Sequence, residues 1–154
     1  MNIIIPHVQL HPLLPQLLSR YGHAPTYIDV SASSDAYWNL LNDLWQKGET
    51  FILVEHDILP WPGALEELWQ CPGLWCANSY DQRGIGIYHS FGCTKFSAGL
   101  IRRLPDVWSR IGHHWSRLDS EFEWQACQAG LRPHPHRPPV IHLHDYSEVE
   151  ARES

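Results

Sequence analysis

Apolar runs of strand length alternate with helix-spaced apolar positions through the first half of the chain. Ile3-Ile4-Ile5 is a short apolar run stopped by Pro6, which predicts a first strand. Leu13, Leu14, Leu17, Leu18 and Tyr21 recur at helical spacing, with Pro15 in the first turn and Gly22 at the end, so a helix is expected over 12–22. Residues 26–30 form a second strand-like run. Tyr37, Trp38, Leu40, Leu41, Leu44 and Trp45 predict a helix over 35–47, closed at Lys47-Gly48. Phe51-Ile52-Leu53-Val54 is a buried-strand pattern, and residues 62–70 follow as a third helix. Leu74-Trp75-Cys76-Ala77 predicts a further strand, 78–95 a glycine-rich loop region able to hold a hairpin, and 96–104 a short helix packed beneath it. A helix over 120–129 and a last short strand over 140–144 complete the pattern. This order predicts a single α/β domain over 1–146, a compact minimal one, with a mainly parallel Rossmann-like sheet flanked by helices. Residues 1–77 are expected to form a nucleotide-binding half, 78–146 an acceptor and catalytic half, and 147–154 a polar tail.

The third strand runs straight into Glu55-His56-Asp57. In an open α/β sheet the carboxyl edge of the strands is where ligands bind. Glu55 and Asp57 would share a face on a continuing strand, giving a hard-oxygen site for Mg²⁺ or Mn²⁺ beside a diphosphate. Neither G-x-G-x-x-G nor G-x-x-x-x-G-K-[ST] occurs, so a diphosphate bound here calls for a metal in place of a glycine cradle. Asp29 ends the second strand at the same edge, either as a ligand to base or ribose or as a turn-forming Asx residue. His142 and His144 are two apart in a strand-like run and share a face. Either one completes a metal site with Asp57, His144 lying nearer the strand's end, and an imidazole ligand favours Mn²⁺ over Mg²⁺.

Composition narrows the partners. The net charge of −6 argues against a broad grip on nucleic acid or anionic membrane, although Arg102, Arg103, Arg110 and Arg117 offer a local basic patch. No apolar run approaches the ~20 residues that span a bilayer, and the first residues lack the basic stretch of a signal peptide. The four cysteines show no C-x-x-C spacing and are expected to be small apolar thiols of a reduced, cytoplasmic protein. His134 and His136 fall in a proline-rich run expected at the surface. Most of the eight tryptophans are expected in the core; Trp61 and Phe91 either form an acceptor wall or, as each reads taken singly, serve as packing residues.

The segment G-E-T-F-I-L-V-E-H-D-I-L-P-W-P-G-A-L-E-E-L at 48–68 resembles the metal-motif region of the nucleotide-sugar glycosyltransferases of GT-A fold, especially the inverting family-2-like group. That group also begins with an apolar strand ending in proline, as at Pro6. Its E-D-x-D motif, followed by a helix ending in Ala-Gly, corresponds here to Leu118-Asp119-Ser120-Glu121 before Ala129-Gly130, with Leu118 and Glu121 departing from the pattern. The resemblance spans about residues 1–146.

It implies a metal-dependent inverting hexosyltransferase that moves a sugar from a nucleotide-diphosphate donor, UDP-linked by expectation, to a hydroxyl acceptor. Pro6, His7, Asp29 and Glu55 would frame the donor. Asp57 with His144 or His142 would hold Mn²⁺ or Mg²⁺. Asp119 would be the general base, with Glu121 as its rival. The short chain implies either an exposed polymeric acceptor or a partner, such as a second protomer, that completes the acceptor site. Two other classes stay open: a nucleotidyltransferase of related topology, which would normally carry a glycine-rich basic loop where residues 7–11 stand, and a non-catalytic module that binds a sugar nucleotide or a protein.

Overall fold

The computed structural model describes residues 1–81, 87–88, 91–137 and 140–143. Its elements are β1 (Ile3–His7), α1 (Leu13–Arg20), β2 (Thr26–Asp29), α2 (Ala36–Lys47), β3 (Phe51–Val54), β4 (Ile58–Pro60), α3 (Ala64–Gln70), β5 (Trp75–Asn78), β6 (Tyr80–Asp81), β7 (Ile87–Tyr88), β8 (Cys93–Phe96), α4 (Ala98–Arg103), α5 (Leu118–Gln128), β9 (His134–His136) and β10 (Val140–His142). Single 3-10 turns at Val107–Arg110 and Trp115–Arg117 lead into α5. Among the described residues no helix is long and apolar enough to cross a membrane.

Six strands form the central sheet in the order β2-β1-β3-β8-β5-β9. β1 pairs in parallel with both β2 and β3, and β5 with β9, while β8 runs against β3 and β5. The predicted α/β sheet is therefore mostly parallel, with one reversed strand inside it. That strand lies where the sequence predicts loop, and Phe96, expected at a helix start, is its last residue. The helix begins two residues later, after Ser97, whose hydroxyl accepts the Leu100 N–H at 3.1 Å. The expected loop around Gly84 and Gly86 lies outside the described residues. On either side of it β6 and β7 pair antiparallel. Residues 140–142 do form a strand, but it pairs with β4 outside the main sheet. β9 is a strand as well; His134 and Pro135 are exposed as expected, but His136 is buried.

Strand alternation divides the core into two layers. Ile3, Ile5, Ile52 and Val54 face Leu14, Leu18, Leu65 and Leu68 of α1 and α3. Ile4, Phe51 and Leu53 face α2, α4 and α5. The second layer is aromatic. Phe122 of α5 lies with ring centroids 5.2 to 5.6 Å from Trp45, Trp75, Phe91, Phe96 and Trp108. Phe91 is thus a core residue and no acceptor wall. Leu118, Phe122 and Ala126, four apart, make the buried face of α5, and this packing fixes where Asp119 sits. Gly48 ends α2 at φ +71°, a left-handed conformation that lets the chain turn directly into β3.

Candidate active site

The carboxyl ends of β1, β2 and β3 open onto a cleft of about 690 Å³ lined by Pro6, Ser31, Tyr37, Glu55, Asp57 and Trp115 among others. Pro6 does not end β1. It is buried within it, in register with Ile28, and His7 follows opposite Asp29. Pro removes one donor from the ladder, a tolerable loss near a strand end. The Asp29 side chain accepts the Ser31 N–H at 2.8 Å and the Ser31 hydroxyl at 2.6 Å. These bonds, with a smaller contribution from His7, hold its carboxyl below the usual range. Asp29 is therefore an Asx turn that places Ser31 on the cleft wall.

The acid segment after β3 is a tight turn and not a continued strand. Ile58 N–H donates to the Glu55 carbonyl at 3.1 Å, so the alternation expected for Glu55 and Asp57 does not apply. The turn brings His56 to the same cleft as both acids. Burial pushes the Glu55 carboxyl from 4.5 up to about 8, reinforced by the charges of Asp57 and Asp119; the Tyr37 hydroxyl, at 3.5 Å, and His142 oppose the shift. Asp119 in the first turn of α5 thus lies close enough to Glu55 to act on it through its charge.

The antiparallel pairing of β10 with β4 sets His142 opposite Ile58, and the Leu143 N–H donates to the Asp57 carbonyl at 2.7 Å. As a result His142 Nε2 stands 3.2 Å from Asp57 Oδ2, with both side chains largely shielded. Two neighbouring ligand atoms on an octahedral ion with ~2.1 Å bonds lie about 3.0 Å apart, so this oxygen–nitrogen pair fits two adjacent positions of a Mn²⁺ or Mg²⁺ shell. His144 lies outside the described residues. Glu121 turns elsewhere: its carboxylate accepts the Gly112 N–H at 2.8 Å and lines a separate surface depression with Arg110 and Trp124.

The chain is similar to A197 from STIV (11% identity, TM-score 0.63, covering 92% of this chain and 85% of that one). It is also similar to a glycosyltransferase involved in glycosylation of the major capsid of PBCV-1 (16% identity, TM-score 0.56, 89% and 82%). CMP:2-keto-3-deoxy-manno-octonic acid synthetase complexed with CTP matches over 99% of both chains at 11% identity and TM-score 0.55. The fold is that of GT-A glycosyltransferases and nucleotidyltransferases. No family profile and no curated protein matches the sequence.

Two cleft residues escape the sequence patterns. Tyr37 reads as an apolar helix position, yet its hydroxyl reaches Glu55. Trp115 is 62% exposed, although the core is the default place for a tryptophan. It sits on a 3-10 turn with no periodic context, and only its departure from the apolar pattern around it marks it.

Proposed function

We propose that this protein is a metal-dependent inverting glycosyltransferase acting on a nucleotide-diphosphate sugar, with a UDP-linked donor preferred. One observation carries this: Glu55 and Asp57 line a cleft of nucleotide size at the carboxyl edge of the parallel strands, with His142 against Asp57 and Asp119 near enough for its charge to act on Glu55. Ser31, Pro6 and the exposed face of Trp115 border the space for nucleoside and sugar. Asp57 and His142 are the two protein ligands for Mn²⁺ or Mg²⁺, which, when bound, neutralises the leaving diphosphate.

Asp119 takes the proton of the acceptor hydroxyl as that oxygen bonds to the anomeric carbon. The bond from that carbon to the phosphate oxygen breaks with inversion, and the electron pair leaves on the nucleoside diphosphate. Each carboxylate accepts one backbone N–H at 2.8 Å, Asp119 from Ser120 and Glu121 from Gly112; Asp119 suits this role better because its charge reaches Glu55, whereas Glu121 lines a separate depression. Glu55, kept largely protonated by its surroundings, can donate a hydrogen bond to a donor hydroxyl or phosphate oxygen. Sugar transfer is preferred over nucleotidyl transfer because residues 7–11, from the last residue of β1 onward, carry no glycine, lysine or arginine to hold a triphosphate.

The test is a panel of sugar nucleotides incubated with and without Mn²⁺, scored for release of nucleoside diphosphate. A parallel panel of nucleoside triphosphates with sugar acids or sugar phosphates is scored for pyrophosphate. Mn²⁺-dependent diphosphate release supports sugar transfer; pyrophosphate release alone replaces it with nucleotidyl transfer.

A further inference from the structure

At the far end of the sheet from the cleft, Cys71, Cys76, His134 and His136 place four ligand atoms within 4.8 Å of one another. Cys71 follows α3, Cys76 lies on β5, and the two histidines lie on β9. The parallel register sets Cys76 opposite His134 and Asn78 opposite His136, so the histidines, two apart on a strand, share one face. We propose that these four residues bind a structural zinc ion.

The chemistry of the set selects the metal. Two thiolates and two imidazoles are a tetrahedral zinc donor set, and with all four positions filled by protein the site is structural, not catalytic. Bonds of ~2.3 Å to sulfur and ~2.0 Å to nitrogen separate tetrahedral ligands by about 3.3 to 3.8 Å, a modest contraction of the observed spacing. Cys71 Sγ already lies 3.1 Å from His134 Nδ1.

His136 supplies an independent observation. It is only 7% exposed, its Nδ1 is 3.0 Å from the Glu67 carboxylate, and its buried Nε2 has no hydrogen-bond partner. A carboxylate holding Nδ1–H fixes the tautomer with the lone pair on Nε2, as a ligating histidine requires, whereas an unpaired buried nitrogen is otherwise costly.

The surroundings fit thiolate ligands too. The Gly73 N–H points at Cys71 Sγ from 3.4 Å. A Cβ at Gly73 would stand 2.9 Å from Cys76 Sγ and 3.4 Å from Cys71 Sγ, so glycine leaves the room the sulfurs occupy. The buried Lys95 ammonium donates to the Cys71 carbonyl. An ion here would tie the three-residue edge strand β9 to β5 and to the end of α3. A strand that short gains most from such a clip.

The experiment measures metal in protein expressed in zinc-supplemented medium and purified with reductant. About one equivalent of zinc is expected to survive dialysis. Replacement by Co²⁺ is expected to give the visible bands of a tetrahedral ion together with a thiolate-to-metal charge-transfer band. Cys76 is buried and its replacement would disturb the core, so the variants are the exposed His134→Ala and Glu67→Gln. The first should lose the stoichiometric zinc. The second, through His136, should weaken zinc by ~10–100-fold with folding intact by circular dichroism. Cys127→Ser and Asp57→Ala should both keep the metal, the latter separating this site from the cleft. Metal-free wild-type protein, a Cys71–Cys76 disulfide that persists in the presence of reductant, or full zinc retention in His134→Ala would each overturn the assignment.

Discussion

Replacing Glu55 by Gln should make the metal-free protein more stable, and by an amount that depends on pH. The carboxyl rises from 4.5 to about 8 on folding because burial and the charges of Asp57 and Asp119 oppose its ionisation. The sign follows from proton counts. Between these two values the folded state binds the Glu55 proton and the unfolded state does not, so stability falls as pH rises through this window. Relative to an uncharged side chain the wild type loses about 1 kcal/mol at pH 5, about 3 at pH 7 and about 5 at pH 9, to order of magnitude. Glutamine keeps the shape and an oxygen for the Tyr37 contact while removing the charge.

The assay is urea unfolding of wild type and Glu55→Gln from pH 5 to 9 without added divalent cation. Taking the difference between the two cancels every other titrating group. The variant should be slightly more stable at pH 5, with the gap widening by about 2–3 kcal/mol by pH 7. Added Mn²⁺ with UDP should narrow the gap by compensating the crowded charge. Parallel profiles would refute both the raised carboxyl and the proximity of the three acids.

Asp57→Ala should abolish the strengthening of UDP binding by Mn²⁺ in calorimetry; UDP affinity unchanged by Mn²⁺ in the wild type would remove the metal from the cleft. Asp119→Asn should lower transfer by ~10²–10⁴ with nucleotide affinity nearly intact, while Glu121→Gln, which retains an oxygen for the Gly112 N–H, should turn over almost normally. If Glu121→Gln is dead and Asp119→Asn active, their roles exchange. Trp115→Ala should weaken donor binding about tenfold by loss of a stacking face, with little change in stability because the ring is exposed; equal affinities by fluorescence titration would make Trp115 a bystander.

What was legible in the sequence follows from what hydrophobic periodicity can report. β1, β3, α1, α2 and α3 emerge close to their expected bounds because their apolar positions face only the two core layers. β8 was hidden because Cys93-Thr94-Lys95-Phe96 has polar residues at its centre. Thr94 and Lys95 are buried nonetheless, their polar atoms spent on the Cys76 and Cys71 carbonyls. β9 was hidden for a similar reason: His-Pro-His reads as surface until Glu67 and the two cysteines are brought beside it. The encounter of Asp57 with a late histidine was foreseeable as residue types, but not that β10 would leave the main sheet to make it. Short-range spacing cannot reveal partners set by strand order.

The two ends of the sheet handle buried polar charge in opposite ways. At β5 and β9 the reactive atoms are provided for locally: Glu67 holds one imidazole, Lys95 and the Gly73 N–H face the thiols, and four donors can close around one ion. Such a site adds to folding free energy once filled. At the cleft, burial and the charges of Asp57 and Asp119 raise the proton affinity of Glu55, a destabilisation that folding alone does not relieve. It is tolerable because the aromatic layer around Phe122 fixes α5 independently of the acids it presents. On the proposed function, a cation arriving with its diphosphate would meet a cleft already organised around negative charge, and Asp57 and His142 would leave most of its coordination shell to the ligand. Tight binding of the metal alone is therefore not expected there. Metal and nucleotide should bind cooperatively, each strengthening the other by the same factor.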